Sequence, residues 1–193
     1  MAAPIERWII CVSGFMSNVG GLTGIEKLHD QLHAQCSCKT TRVVILNWTD
    51  DPAAIAERIF NRRPVGHPPV IIMIGHSYGG YTVNEIAKEL NYRGLRVAYL
   101  LMLDAVWRRF RRLPSALSLL KCWTIKIPDN VNYVYAWFQK ENRPSGHKLI
   151  LPAEVKKHGR YQFITAKVRH AYVDDLVDVH QTALTLACPN IGS

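Results

Sequence analysis

Apolar positions along this chain gather in blocks. Residues 8–12, 43–46, 70–74 and 97–103 are nearly unbroken runs of Val, Ile, Leu, Met, Trp, Tyr, Cys and Ala. Residues 131–138 and 162–168 are more mixed but rich in aromatic and β-branched side chains. Continuous apolar runs of this length read as strands buried on both faces rather than as half-solvated ones.

Helical spacing fills the gaps between them. Thr23 with Glu26 three residues on makes a capping box, and Ile25, Leu28 and Leu32 share the next helical face. Asp51-Pro52 supplies a cap and a first-turn proline ahead of Ile55, Ile59 and Phe60. Residues 81–90 form a helix closed by Gly94, and Asp174 or Asp175 caps a last helix carrying Leu176, Val177, Ala183, Leu184 and Leu186. Strands separated by helices predict an α/β fold: a three-layer sandwich with a mostly parallel six-stranded sheet and helices on both faces. At 193 residues the chain is expected to be a single domain over 1–193. Residues 105–130 and 139–160 show no regular period.

One junction carries more than its pattern. The run at 70–74 passes within a few residues into the helix at 81–90, and the turn between them is Gly75-His76-Ser77-Tyr78-Gly79-Gly80. A glycine-flanked serine on a strand-to-helix corner stands clear of the sheet, above unpaired N–H groups at the helix N-terminus. A hydroxyl so placed can attack a carbonyl and leave the oxyanion beside ready donors. With this motif in this context the chain resembles the α/β-hydrolase superfamily in its small lipase/esterase-like form, from about Trp8 to Ala187.

The resemblance implies a chain order of Ser, then acid, then His at the carboxyl ends of strands. Ser77 is then the nucleophile. His170, which ends the last strand, is the base, ahead of His147, His158 and His180. The acid falls on Asp104, at the mouth of the apolar strand 97–103, with Glu141 past Phe138 as the other choice. An ionised carboxylate beside so much hydrocarbon needs a strong partner, and an imidazole would be one. The oxyanion hole is implied at the N–H groups of Tyr78 and of Phe15, which comes after Ser13-Gly14 where many relatives read His-Gly.

The expected activity is hydrolysis of a small acyl ester or thioester through an acyl-enzyme, without cofactor or metal. Amidase, lactonase or acyltransferase chemistry would use the same residues. A hydrolase-fold binding protein without turnover is the alternative of another class.

Composition adjusts this picture at three points. The formal charge of +9 would suit anionic partners, and Arg108, Arg109, Arg111 and Arg112 concentrate part of it beside the proposed acid. These arginines could touch anionic lipid or flank the cleft; nothing in the chain suggests nucleic-acid binding. Five cysteines without a small-scaffold spacing suit reduced thiols, and the charged N-terminus is unlike a signal peptide, so a cytoplasmic protein is expected. His29, His33, Cys36 and Cys38 crowd four metal-capable ligands together, but their spacing matches no common zinc site, and a surface helix end is the expected reading.

Overall fold

In the computed structural model, which describes residues 4–15, 23–107 and 124–188, all six apolar runs pair into one sheet. Its strands are β1 (Arg7–Val12), β2 (Thr41–Leu46), β3 (Val70–His76), β4 (Val97–Leu103), β6 (Val131–Gln139) and β8 (Tyr161–Ala166), in the order β2-β1-β3-β4-β6-β8. Every pairing among them is parallel.

Both faces are covered, which is why the central strands lack alternation. Ile10, Ile71, Met73, Leu100 and Met102 pack on Ile55 and Ile59 of α2 (Pro52–Asn61) and on Val83, Ile86 and Leu90 of α3 (Tyr78–Tyr92). Ile9, Ile72, Ile74, Leu101 and Leu103 pack on Ile25, Leu28 and Leu32 of α1 (Gly24–Cys36) and on Val179 and Ala183 of α5 (Val177–Ala187). The helix ends match the sequence signals. Glu26 accepts the Thr23 N–H at 2.7 Å, Asp51 accepts that of Ala53 at 3.1 Å, and Gly94 lies beyond α3 with φ +69°.

Three expectations change. The irregular stretches contain β5 (Thr124–Lys126) and β7 (Lys148–Ile150), which pair in parallel as a separate two-stranded sheet, and α4 (Ala153–Lys157). At three residues each, those strands are too short to register as a periodic run. Neither Asp174 nor Asp175 caps the last helix: both lie in a 3-10 turn (His170–Asp175), and α5 starts after Leu176 without a side-chain cap. Asp174 instead turns inward and accepts the Ile25 N–H of α1 at 2.9 Å.

The thiols also differ from expectation. Cys36 at the end of α1 is joined to Cys188 just past α5, while Cys11 and Cys38 are free. The partners are 152 residues apart, so no local spacing could have announced the bridge. It takes Cys36 out of the four-ligand cluster, and among the described residues no group of three or more His, Cys, Asp or Glu side chains is placed to hold a metal ion. Among those residues no helix is long and apolar enough to cross a membrane.

Candidate active site

The chain runs from β1 outward to β2, then returns across β1 to β3 and continues the other way. The carboxyl ends of β1 and β3 therefore flank the point where strand order reverses, where open α/β sheets form their crevice. The loop after β1 carries Ser13, Gly14 and Phe15, and the turn after β3 carries Ser77.

Ser77 has φ +55° and ψ −122°, a backbone conformation that a non-glycine residue occupies only when its surroundings force it. The surroundings do so. Its N–H donates to Leu103 O at 2.9 Å, and its carbonyl accepts from Gly80 N and Val106 N at 3.0 Å each. The corner is too tight for side chains beside it: a Cβ on Gly75 would run into the backbone of Gly79, and one on Gly79 into the carbonyl of Val12. Gly14 is also close, though less tight, since a Cβ there would lie 3.0 Å from that of Ser77. The loop bearing Phe15 thus rests directly on the elbow.

Asp104 is the first residue beyond β4 and is 0% exposed. Its φ of +46° turns the chain sharply at the sheet edge, a conformation aspartate tolerates better than most residues. One carboxylate oxygen accepts the N–H groups of Gln139 at 3.1 Å and Gly146 at 2.6 Å. The other lies 2.5 Å from His170 Nδ1. His170 Nε2 in turn lies 2.7 Å from Ser77 Oγ. Three residues from the ends of β3, β4 and the segment after β8 thus form one hydrogen-bonded chain, buried throughout.

The other candidates lie elsewhere. Glu141 is exposed, and its own N–H donates to Gln139 Oε1 at 2.7 Å. His147 is buried, accepting the Trp107 N–H on Nδ1 at 2.9 Å. His158 pairs with Glu154 on α4, and His180 bridges Gln31 and the Asp174 carbonyl. Tyr78 is the first residue of α3, so its N–H belongs to that helix's first turn. Phe15 is 49% exposed, its ring edge-on to both Trp48 and Tyr78. Arg108, Arg109, Arg111 and Arg112 lie outside the described residues.

Several side chains that hold this arrangement carry no signal in the sequence. Asn142 Oδ1 accepts the His170 N–H at 2.7 Å. Gln139 ties down the loop after β6, accepting from Glu141 N and Asn142 N and donating to the carbonyls of Asn142 and Pro144. His76, the variable residue of the serine motif, is buried with its ring 5.0 Å from that of His170. Burial pushes its pKa down, and the nearby Asp174 carboxylate opposes that. A polar residue in a loop, or at the last position of a strand, has no period to mark it, so only the fold could reveal these contacts.

No protein-family model matches the chain, and no curated protein matches it in sequence. Solved structures do match in shape. The NocB thioesterase domain from the nocardicin cluster superposes with a TM-score of 0.50 at 15% identity, covering 97% of this chain and 96% of its own. A protein of Lactobacillus plantarum WCFS1 described as a cell surface hydrolase gives 0.50 at 12% identity, covering 98% and 92%. At such identities the likeness is one of fold, and it agrees with the parallel six-stranded sheet and the strand-to-helix corner after β3. The chain has the α/β-hydrolase fold.

Proposed function

We propose that the protein is a serine hydrolase of small carboxylic esters or thioesters, working through an acyl-enzyme on Ser77. The observation that carries this reading is the unbroken chain Ser77 Oγ to His170 Nε2 to Asp104, at 2.7 and 2.5 Å. A serine hydroxyl is a weak nucleophile until a base takes its proton, and the base works only in the right tautomer. Asp104, acceptor-only when ionised, holds the hydrogen on His170 Nδ1 and leaves the Nε2 lone pair for Ser77.

Ser77 Oγ attacks the acyl carbon as its proton passes to His170 Nε2, and the carbonyl π electrons move onto oxygen. The N–H groups of Phe15 and Tyr78 receive that oxyanion; the helix N-terminus behind Tyr78 adds favourable potential. The intermediate collapses, and His170 returns the proton to the departing alkoxide or thiolate. Water then repeats the sequence against the acyl-enzyme, freeing the acid and restoring Ser77. No step needs a cofactor. The solved NocB domain of this fold is named a thioesterase, which is reason to assay thioesters beside oxygen esters.

The test is a fluorophosphonate label together with p-nitrophenyl esters and acyl thioesters of graded chain length. Wild type should be labelled at Ser77 and turn over at least one substrate class, and Ser77→Ala should lose both. Folded wild type that takes no label and hydrolyses nothing would return the chain to a hydrolase-fold binding protein.

A further inference from the structure

Behind the Ser77–His170–Asp104 chain lies a second histidine–carboxylate pair. His76 Nε2 is 2.8 Å from the main-chain carbonyl of His170, an oxygen that can only accept, so Nε2 carries a hydrogen. The other ring nitrogen, Nδ1, lies 3.4 Å from Asp174 Oδ2. Asp174 is 1% exposed; Oδ2 also accepts the Ile25 N–H, and Oδ1 has no partner among the described residues. With His76 neutral and Asp174 ionised, a nitrogen lone pair would face a buried carboxylate that forms no ion pair with a Lys or Arg among the described residues, a costly arrangement. A single proton between them removes the conflict, whichever atom it rests on.

We propose that His76 and Asp174 share one proton and act as a positioning pair for His170, holding its main-chain carbonyl and presenting no net charge to its ring. His170 is then fixed at four atoms: its N–H on Asn142, its carbonyl on His76, and its two ring nitrogens on Asp104 and Ser77. The two imidazoles lie 36° from parallel, close enough for the charge state of one pair to be felt by the other. The titratable groups around the pair are His170, on the same 3-10 turn as Asp174, and Asp104 at the end of β4. Lys27 of α1 acts on Asp174 through space and pairs with Asp175 at 2.7 Å, and His180 of α5 reaches the Asp174 carbonyl at 2.8 Å.

The pair's role in turnover rests on the serine-hydrolase reading, but its proton can be tested without any substrate, by tracking the His170 ring through a pH titration by NMR. In His76→Gln the amide still donates to the His170 carbonyl, but Asp174 loses the group that shares its proton. The His170 titration should move up by about one pH unit, the response to an uncompensated carboxylate nearby. His76→Gln combined with Asp174→Asn should bring it back. Asp174→Asn alone leaves a single atom at the Oδ2 position, which either accepts from Ile25 or donates to His76 Nδ1; the side chain is neutral in both orientations, so the titration should stay unmoved.

A His170 titration unchanged in His76→Gln would overturn the proposal. So would a downward shift in Asp174→Asn, because removing an already neutralised group cannot lower it. The second arm decides alone if His76→Gln fails to fold. In kinetics, His76→Phe should lower kcat about tenfold at constant KM, the low end of what misplacing a base costs, with most of it regained in His76→Gln. A rise in KM instead would make His76 a substrate contact. Loss of activity in Ser77→Ala alongside flat titrations would sink this inference and leave the hydrolase reading standing.

Discussion

Replacing Asp104 by asparagine changes one atom of the site, and the surrounding donors dictate how the new amide must sit. Oδ1 of Asp104 accepts two backbone N–H groups, from Gln139 and Gly146, in a fully buried position. An asparagine must keep its single oxygen there, which turns its NH2 toward His170 Nδ1. His170 then accepts on Nδ1 and carries its hydrogen on Nε2, where it can no longer take the Ser77 proton. The flipped amide would offer NH2 to two N–H donors and strand both, at about 1–3 kcal/mol each. The productive orientation is therefore disfavoured by about 2–6 kcal/mol, or about 30-fold to 3×10⁴-fold at 1.36 kcal/mol per decade. Losing the charge that stabilises the imidazolium adds to this, so kcat should fall by about 10³–10⁴, the scale known for a triad acid made an amide. The assay is kcat and KM on one activated ester at neutral pH, with circular dichroism to establish that the variant folds. Glu141→Gln, a change at an exposed side chain, should cost less than about twofold on the same ester. A folded Asp104→Asn enzyme within about fivefold of wild type would refute the reasoning, and a large loss in Glu141→Gln would move the acid to that residue.

Gly79→Ala should lower stability by about 1–3 kcal/mol in urea unfolding, because the new methyl has to displace the Val12 carbonyl beside the elbow. The two free thiols should react oppositely. Hydrogen bonding from the Thr41 side chain and then from the Thr40 backbone lowers the exposed Cys38 to about 7, whereas burial pushes Cys11 up to about 12. Because the thiolate is the nucleophile, iodoacetamide labelling of Cys38 read by mass spectrometry should rise with pH to half its limiting rate near pH 7, with Cys11 unlabelled in the folded protein. Reducing the Cys36–Cys188 bridge, or replacing Cys188 by serine, should cost about 2–4 kcal/mol and lower Tm, since it frees the ends of two helices that are far apart in sequence.

Dense local pattern is what the chain makes legible in advance. Four of the six main strands are continuous apolar runs, and Ser77 sits between glycines at a strand-to-helix corner. Asp104 stands out because a charge ending seven apolar or aromatic residues has to leave the sheet at its edge. The rest depends on contacts between distant segments. His76 looks like filler within its motif, and its meaning comes from Asp174, far along the chain at the other side of the sheet's last strand. Asp174 itself reads as a cap for the helix beside it and serves the first turn of α1 instead. Asn142 and Gln139 are polar residues at the edge of a polar stretch, with no period to mark them. The bridge from Cys36 to Cys188 depends on α1 and α5 ending side by side, a property of the finished sheet and not of either helix.

The order of strands has a further consequence during synthesis. Ser77 and Asp104 lie at the ends of neighbouring strands, β3 and β4, so the first half of the chain can already pair them. His170 comes after β8, the last strand and an edge of the sheet, which pairs only with β6. Domains emerge from the ribosome amino end first, at about 5–20 residues per second. Ser77 and Asp104 are therefore made seconds before His170 and wait beside one another without it. On the proposed serine-hydrolase reading, a nascent chain stalled before β8 would carry a formed elbow without its base, and would take no fluorophosphonate label until the final strand has docked.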